Sequence, residues 1–506
     1  MAATCATLRD VTDATGATGE ATPALPAFTP DEIAALAGGS LVVRGSVAAR
    51  GAVVDSRLVF PGVIFVALAG ERTDGHDHAL AAFEAGAAVL LVSRDLEPAL
   101  VAAVAAGGSG SIVRVADTLA ALGELGSAWR SRFDPLVIGI TGSYGKTSTK
   151  EAIAAVLERR FRTLRSSGNQ NNEIGLPLTL LRLGPQHEAA VLEMGMFVGG
   201  EITYLARLAR PSIGVVTSVG TVHIARIGSV DAIEQAKGEL VEALPASGTA
   251  ILNVDDPRVR RRASRARARV VTYGVTSPDA EIRAEEVEHL GIDGMRFILT
   301  IAGQRWPVRT PVPGRHSVEN ALAAAAVGHV AGLSLEEIAT GLEAGWGAPH
   351  RTEVIRVGGI TIIDDSYNAE PATMRAALAL LRQLGDGSDG SPRGRRIAVL
   401  GPMLELGALH VAHHLEIGAA AAVACDRLIV VGAEASPIAE GAREHGLPAD
   451  RIAEVADRAA ALALLRSEAR AGDTLLVKGS RGAALDLLVA ELRHTLEEEE
   501  AAGPQA

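Results

Sequence analysis

The chain reads as an α/β protein of three domains: a small N-terminal α/β domain, a central parallel-sheet domain and a C-terminal Rossmann-like domain. Three observations predict this. Short apolar runs alternate with longer amphipathic segments along most of the 506 residues, the pattern of strands covered by helices on both faces. A length of 506 residues fits about three domains at roughly 100–200 residues each. One apolar run passes directly into a glycine-rich turn and then a helical segment, as in open parallel sheets.

Residues 1–26 are rich in Ala, Thr, Gly and Pro and lack periodicity, so a disordered extension is expected there. The N-terminal domain is expected over 27–110, with strands at Leu41–Val43, Val63–Leu68 and Ala88–Ser93 and a helix at Ala79–Ala85. The central domain spans 111–350. It opens with a helix at Thr118–Arg132 and the apolar strand Leu136–Ile140, and continues with strands at Ala189–Glu193, Ile213–Ser218, Thr249–Asn253 and Val270–Tyr273. The Ala-rich helix Val318–Ala331 closes it. The C-terminal domain, 351–506, repeats the alternation with strands at Thr361–Asp364, Ile397–Leu400, Arg427–Val431 and Thr474–Lys478. Between them Gly385–Arg396 is a surface loop by composition, and the tail Glu497–Ala506 is expected to fray.

Composition excludes several classes. Hydrophobic residues make up 48% and aromatics only 3%, so Ala, Val, Leu and Ile must fill the cores. A net charge of −12 argues against a nucleic-acid partner. The basic run Arg258–Arg269 reads as a solvated helix face. Only two cysteines occur, Cys5 and Cys425, which fits a reducing cytoplasm. No stretch of ~18 apolar residues spans a membrane, and the N-terminus lacks the pattern of a signal peptide.

The run Val137-Ile-Gly-Ile-Thr-Gly-Ser-Tyr-Gly-Lys-Thr-Ser-Thr-Lys150 carries the sharpest local signal. Backbone N–H groups at a helix N-terminus bind phosphate oxygens. Gly142 and Gly145 let the backbone come close to them. Lys146 can neutralise the outer phosphates and the Thr147 hydroxyl can ligate Mg²⁺. The spacing is Gly-x-x-Gly-Lys-Thr, shorter than the generic Walker A loop. This makes the central domain a P-loop ATPase domain.

Chemistry on ATP requires charge neutralisation, and Mg²⁺ prefers oxygen ligands. Glu193 ends the strand Ala189–Glu193 at the carboxyl edge where open α/β sheets bind ligands. Taken alone, it reads equally as a metal ligand or as a helix-capping or surface acid. His223 follows the end of the next strand, and Lys237, within Glu234-Gln-Ala-Lys-Gly-Glu239, looks like an ordinary helical lysine. The amide-rich segment Ser166–Pro177, with Asn169, Asn171 and Asn172, suits a turn or a polar substrate.

Taken together these strings resemble the Mur ligase family over about residues 40 to 485. The matching segments include DSRLVFPGVIFVALAGERTDGHD (55–77), TGSYGKTSTKEAI (141–153), GNQNNEIGLPLTLL (168–181), TSVGTVHIARIGSVDAIEQAKGEL (217–240), GRHSVENALAA (314–324), DDSYNAEPATMRAAL (364–378), LGPMLELG (400–407) and KGSRG (478–482). The chain departs from the family pattern at Pro402, where Asp is usual, at Glu370, where Asn is usual, and at Tyr144, which replaces a smaller residue.

The resemblance implies a monomeric cytoplasmic ligase of peptidoglycan precursor synthesis, using ATP and Mg²⁺. Its substrates would be UDP-N-acetylmuramoyl-tripeptide and D-Ala-D-Ala, joined through an acyl phosphate. The alternative is another amide ligase of the same superfamily. Ser56, Arg57, Asn171 and Asn172 would meet the UDP-sugar peptide. Thr141, Gly142, Ser143, Tyr144, Gly145, Lys146, Thr147 and Ser148 would hold the phosphates, with Asn320 on adenine. Arg351 would reach ATP from the third domain, with Asp365, Tyr367 and Asn368 near the nucleoside. Thr147, Glu193, His223 and a carbamylated Lys237 would be the Mg²⁺ ligands. Lys478, Ser480 and Arg481 would meet the incoming dipeptide.

Overall fold

The computed structural model describes residues 27–70, 73–222, 224–384 and 394–502. The expected extension at 1–26, His223 and most of the loop 385–396 lie outside the described residues. The chain divides into two compact units, the first holding residues up to Val137 with Arg162–Met194 and Tyr204–Arg210, the second the remainder.

The first unit opens with a five-stranded sheet of β1 (Ser40–Val43), β2 (Ala52–Val53), β3 (Ile64–Val66), β4 (Val89–Val92) and β5 (Ser111–Arg114) in the order β1-β5-β4-β3-β2. β1 runs antiparallel to β5 and the other pairs are parallel. Val63, Phe65, Leu90, Val92 and Ile112 build the core of this sheet. The sheet extends to Arg114. The helix Thr118–Arg130 follows, started by the Asp117 carboxylate, which accepts from the Leu119 N–H at 2.8 Å and the Ala120 N–H at 3.1 Å. A carboxylate there satisfies N–H groups that the first helical turn leaves without partners.

β6 (Leu136–Thr141) leads into the phosphate loop, and β7 (Thr163–Arg165) pairs in parallel with β8 (Ala189–Glu193) in the first unit. In the second unit β6 pairs with β9 (Ile213–Val216), and β9 with β10 (Thr249–Asn253), β11 (Arg269–Gly274) and the first residues of β12 (Ile282–His289) in a parallel series. β12, β13 (Met295–Ile301) and β14 (Gln304–Thr310) then form an antiparallel meander. The meander was not foreseen from periodicity. β12 is mostly polar, and β14 carries Pro307 among exposed residues, so neither shows the apolar run that marks a buried strand.

The C-terminal sheet contains β15 (Glu353–Val357), β16 (Ile360–Asp364), β17 (Arg396–Leu400), β18 (Arg427–Val431), β19 (Ile452–Val455) and β20 (Thr474–Lys478), in the order β15-β16-β20-β17-β18-β19. Only β15 is antiparallel to its neighbour. Alternate residues feed two cores. Ile363, Ala398, Leu400, Leu428, Val430 and Leu476 face one, and Ile362, Ile397, Val399, Ile429, Leu475 and Val477 face the other. Both faces are thus apolar, which explains the unbroken apolar runs. The tail is more ordered than its composition suggested, since the last helix runs Leu485–Ala502.

The basic run also differs in part from expectation. It folds as the short helix Pro257–Arg261, a 3₁₀ turn and the start of β11. Arg258, Arg261 and Arg262 converge on the buried Glu234 carboxylate at 2.9, 2.6 and 2.7 Å. One buried acid thus fixes three of the arginines, while Arg261, Arg265, Arg267 and Arg269 remain exposed, as a solvated face requires.

Candidate active site

β6 ends at Thr141, and helix Lys146–Leu157 begins after four intervening residues. Gly142 has φ 152° and Gly145 φ 82°. A side-chain carbon at Gly142 would come within 1.9 Å of the Thr217 hydroxyl, so only glycine fits there. The residues after β9 hold the loop in place. The Ser143 N–H donates to the Ser218 carbonyl at 2.9 Å. The Thr217 hydroxyl donates to the Tyr144 carbonyl at 2.7 Å, and the Gly220 N–H to the Ser143 hydroxyl at 2.8 Å. A side-chain carbon at Gly220 would meet the Tyr144 ring at 2.7 Å, so Gly220 makes room for the enlarged loop residue. Sequence reasoning missed Thr217, Ser218 and Gly220 as loop supports, because short hydroxyl residues carry no periodic signal.

Lys146 folds back over its own loop. Its ammonium donates to the Gly142 carbonyl at 2.8 Å. Thr147 and Ser148 lie in the first turn of the helix, Thr147 buried. Asn320 is brought beside the loop by the helix Arg315–Val330, where its amide oxygen accepts from the Thr149 hydroxyl at 2.9 Å.

A second set gathers where the C-terminal domain begins. The Arg351 guanidinium stacks 4.1 Å from the centre of the Tyr367 ring. Arg481 approaches the same ring at 5.5 Å and donates to the Tyr367 hydroxyl at 3.4 Å. The Tyr367 N–H donates to the His350 carbonyl at 3.1 Å. The Asp365 carboxylate accepts from the Thr352 N–H at 3.1 Å and from Lys478 at 2.6 Å. Lys478, only 2% exposed, also donates to the Asn368 carbonyl at 2.9 Å. The Ser480 hydroxyl accepts from the Leu404 N–H at 3.0 Å and donates to the Ala369 carbonyl at 3.4 Å. Lys478 and Ser480 therefore fasten three loops together, while Arg481 is the exposed cation of the trio.

Lys237 lies in the helix Val230–Ala243 and is 3% exposed. A lysine so buried is costly unless its charge is balanced, a signal that sequence alone does not carry. In the first unit Glu193 is buried at the end of β8. Its carboxylate accepts from the Asn171 amide at 2.8 Å, and its N–H donates to the Ser166 hydroxyl at 3.2 Å. The Asn172 amide oxygen accepts from the Gly175 N–H at 2.9 Å at the start of helix Gly175–Leu180. Ser56 and Arg57 form a 3₁₀ turn behind Asp55, whose carboxylate accepts from the Arg57 guanidinium at 2.9 Å.

A phosphate loop, an arginine–tyrosine stack and a buried helical lysine thus occur in one chain. Its residues 140–328 match the Mur ligase middle domain, 350–481 the Mur ligase glutamate ligase domain and 50–130 the Mur ligase family catalytic domain. The chain belongs to the Mur ligase family. It is similar to the UDP-N-acetylmuramoyl-tripeptide–D-alanyl-D-alanine ligase of Mycobacterium tuberculosis, at 42% identity over 86% of this chain and 91% of that protein. The Escherichia coli ligase of the same name is 38% identical over 87% of this chain and 92% of its own length. A crystal structure of MurF from Acinetobacter baumannii superposes with a TM-score of 0.81 at 31% identity, covering 93% of this chain and 99% of that one. MurF from Thermotoga maritima in complex with ADP gives a TM-score of 0.75 at 25% identity, covering 89% of this chain and 98% of that one. This Mur ligase therefore has the three-domain α/β architecture expected from its sequence, and it is an ATP-dependent ligase. Among the described residues no helix is long and apolar enough to cross a membrane.

Proposed function

We propose that this Mur ligase joins the amine of D-Ala-D-Ala to the terminal carboxylate of UDP-N-acetylmuramoyl-tripeptide in the cytoplasm. The observation that carries the reading is the phosphate loop, held in place by Thr217 and Ser218, in one unit with the Arg351–Tyr367 stack. A carboxylate does not acylate an amine unaided, so ATP must first convert it to an acyl phosphate. The loop N–H groups orient the phosphates at the head of helix Lys146–Leu157. Lys146 exchanges its bonds to the Gly142 and Ser143 carbonyls for the transferring phosphoryl group. Arg351, fixed against Tyr367, supplies the second cation, and two cations on the equatorial oxygens lower the barrier to transfer.

Thr147 and Lys237 are buried in the second unit and Glu193 is buried in the first; with Lys237 carbamylated, these residues and His223 would be the ligands of Mg²⁺, which prefers oxygen donors. Bound there, Mg²⁺ would neutralise charge developing on the phosphoryl oxygens. Carbamylation turns the buried Lys237 into an oxygen-donor anion. Asn171, Asn172, Ser56 and Arg57 serve the UDP-sugar peptide, Asn320 the adenine, and Arg481 the dipeptide carboxylate.

Phosphate release from the purified chain tests this. It should require ATP, UDP-N-acetylmuramoyl-tripeptide and D-Ala-D-Ala together. Release that follows a single amino acid and ignores D-Ala-D-Ala would assign the chain to another branch of the superfamily.

A further inference from the structure

An incoming α-amine has an ordinary pKa of about 7.7–8.0, so most of it arrives as ammonium at neutral pH and must lose a proton before it can attack. The residues nearest the Arg351–Tyr367 stack are already engaged. Lys146 and Arg351 are cations. Asp365 is held by Lys478 and the Thr352 N–H, and Asp364 by Ser366 and His350.

Glu370 stands at the head of the helix Pro371–Leu384. Its backbone makes the helix start: the carbonyl accepts from the Met374 N–H at 2.8 Å and the Thr373 hydroxyl at 3.0 Å. Its carboxylate takes no part in capping and has no hydrogen-bond partner among the described residues. The loop before it is pinned by Lys478 on the Asn368 carbonyl and Ser480 on the Ala369 carbonyl. The carboxylate is partly buried. The charges that act on it are those of the Lys146 ammonium of the phosphate loop, Glu405 and Lys478. It is thus an acid without a hydrogen-bond partner among the described residues, on a loop pinned by Lys478 and Ser480, three residues from Tyr367, whose hydroxyl accepts from the Arg481 guanidinium, and the Lys146 ammonium of the phosphate loop is among the charges that act on it.

We infer that Glu370 is the proton acceptor for the attacking amine, an inference that rests on the ligase reading above. The ammonium gives one proton to the Glu370 carboxylate. The freed nitrogen lone pair bonds to the acyl carbon, and the bond from that carbon to the phosphate oxygen breaks. The second nitrogen proton leaves with the phosphate, and Glu370 returns its own to solvent. Burial and Glu405 push the Glu370 carboxyl up to about 7, against the pull of Lys146 and Lys478. A base poised near the working pH is the efficient one.

Glu370→Gln separates the two half-reactions. Tripeptide-dependent exchange of ADP into ATP, run without dipeptide, should stay near the wild-type rate. Turnover with D-Ala-D-Ala should fall about 100-fold, the usual size of a general-base contribution, and the rising limb of kcat with pH should disappear. Hydroxylamine, largely unprotonated at neutral pH, should still trap the acyl group at the wild-type rate. Wild-type turnover with D-Ala-D-Ala in the variant, or equal loss in both half-reactions, would overturn the assignment. Absence of tripeptide-dependent exchange in the wild-type protein would overturn the ligase reading itself, and the role of Glu370 with it.

Discussion

The Arg351 guanidinium lies 4.1 Å from the centre of the Tyr367 ring, so an arginine that opens the C-terminal domain is oriented by a loop that follows β16. Stacking on an aromatic face contributes about 0.5–2 kcal/mol and removes much of the arginine's rotamer freedom. Tyr367→Ala should raise the KM for ATP by about 2- to 30-fold on that scale. Tyr367→Phe, which keeps the ring, should stay near wild type. Equal effects of both substitutions would show that the hydroxyl, and its contact with Arg481, matters more than the stack.

Lys478 tests the anchoring of the same loop. Its ammonium is buried and bonded to Asp365 and Asn368. Lys478→Met removes one partner of a buried pair, a change that commonly costs about 3–5 kcal/mol. Urea unfolding should show the loss, and activity should fall because Asp365 and Tyr367 lose their support. A variant of unchanged midpoint would mean that the pair adds nothing net.

Lys237→Ala should abolish turnover, with partial recovery when short carboxylic acids are added to replace the carbamate. Full activity in this variant would sink the carbamate proposal. A loss that no carboxylic acid repairs would point to packing around the buried side chain.

Asp74 gives the N-terminal domain a pH-dependent contribution. The His76 N–H donates to its carboxylate at 2.9 Å, and the His76 ring and Arg94 also bond it. These contacts, the backbone bond foremost, hold the carboxyl down to about 2, below the unfolded value of about 3.9. A depressed folded pKa stabilises above the unfolded value and loses that effect as pH falls toward the folded one. The gap in urea midpoint between wild type and Asp74→Asn should therefore be full above about pH 5 and shrink below about pH 4. A gap constant across that range contradicts the assignment.

Much of the fold was legible in the residues. The strands buried on both faces, such as Ile397–Leu400 and Ala189–Glu193, announce themselves as apolar runs because no face needs polarity. Strands β12 and β14 of the meander and the edge strand β15 did not, since half-exposed strands carry charged and polar residues that read as loops. The phosphate loop was legible because its chemistry needs glycines at fixed spacing. Lys237, Lys478 and Glu370 were not. What marks them is burial and neighbours brought from distant segments, and a helical lysine or loop glutamate looks ordinary until the fold surrounds it. Arg258, Arg261 and Arg262 make the same point, since within a run whose other arginines stay largely in water these three close on the buried Glu234.

Oxygen transfer tests the central claim most directly. UDP-N-acetylmuramoyl-tripeptide labelled with ¹⁸O in its terminal carboxylate is incubated with the enzyme, ATP and D-Ala-D-Ala, and the released phosphate is analysed by mass. An acyl-phosphate ligase moves one carboxylate oxygen into each phosphate, so labelled phosphate should appear in step with product. Unlabelled phosphate accompanying amide formation would contradict the mechanism.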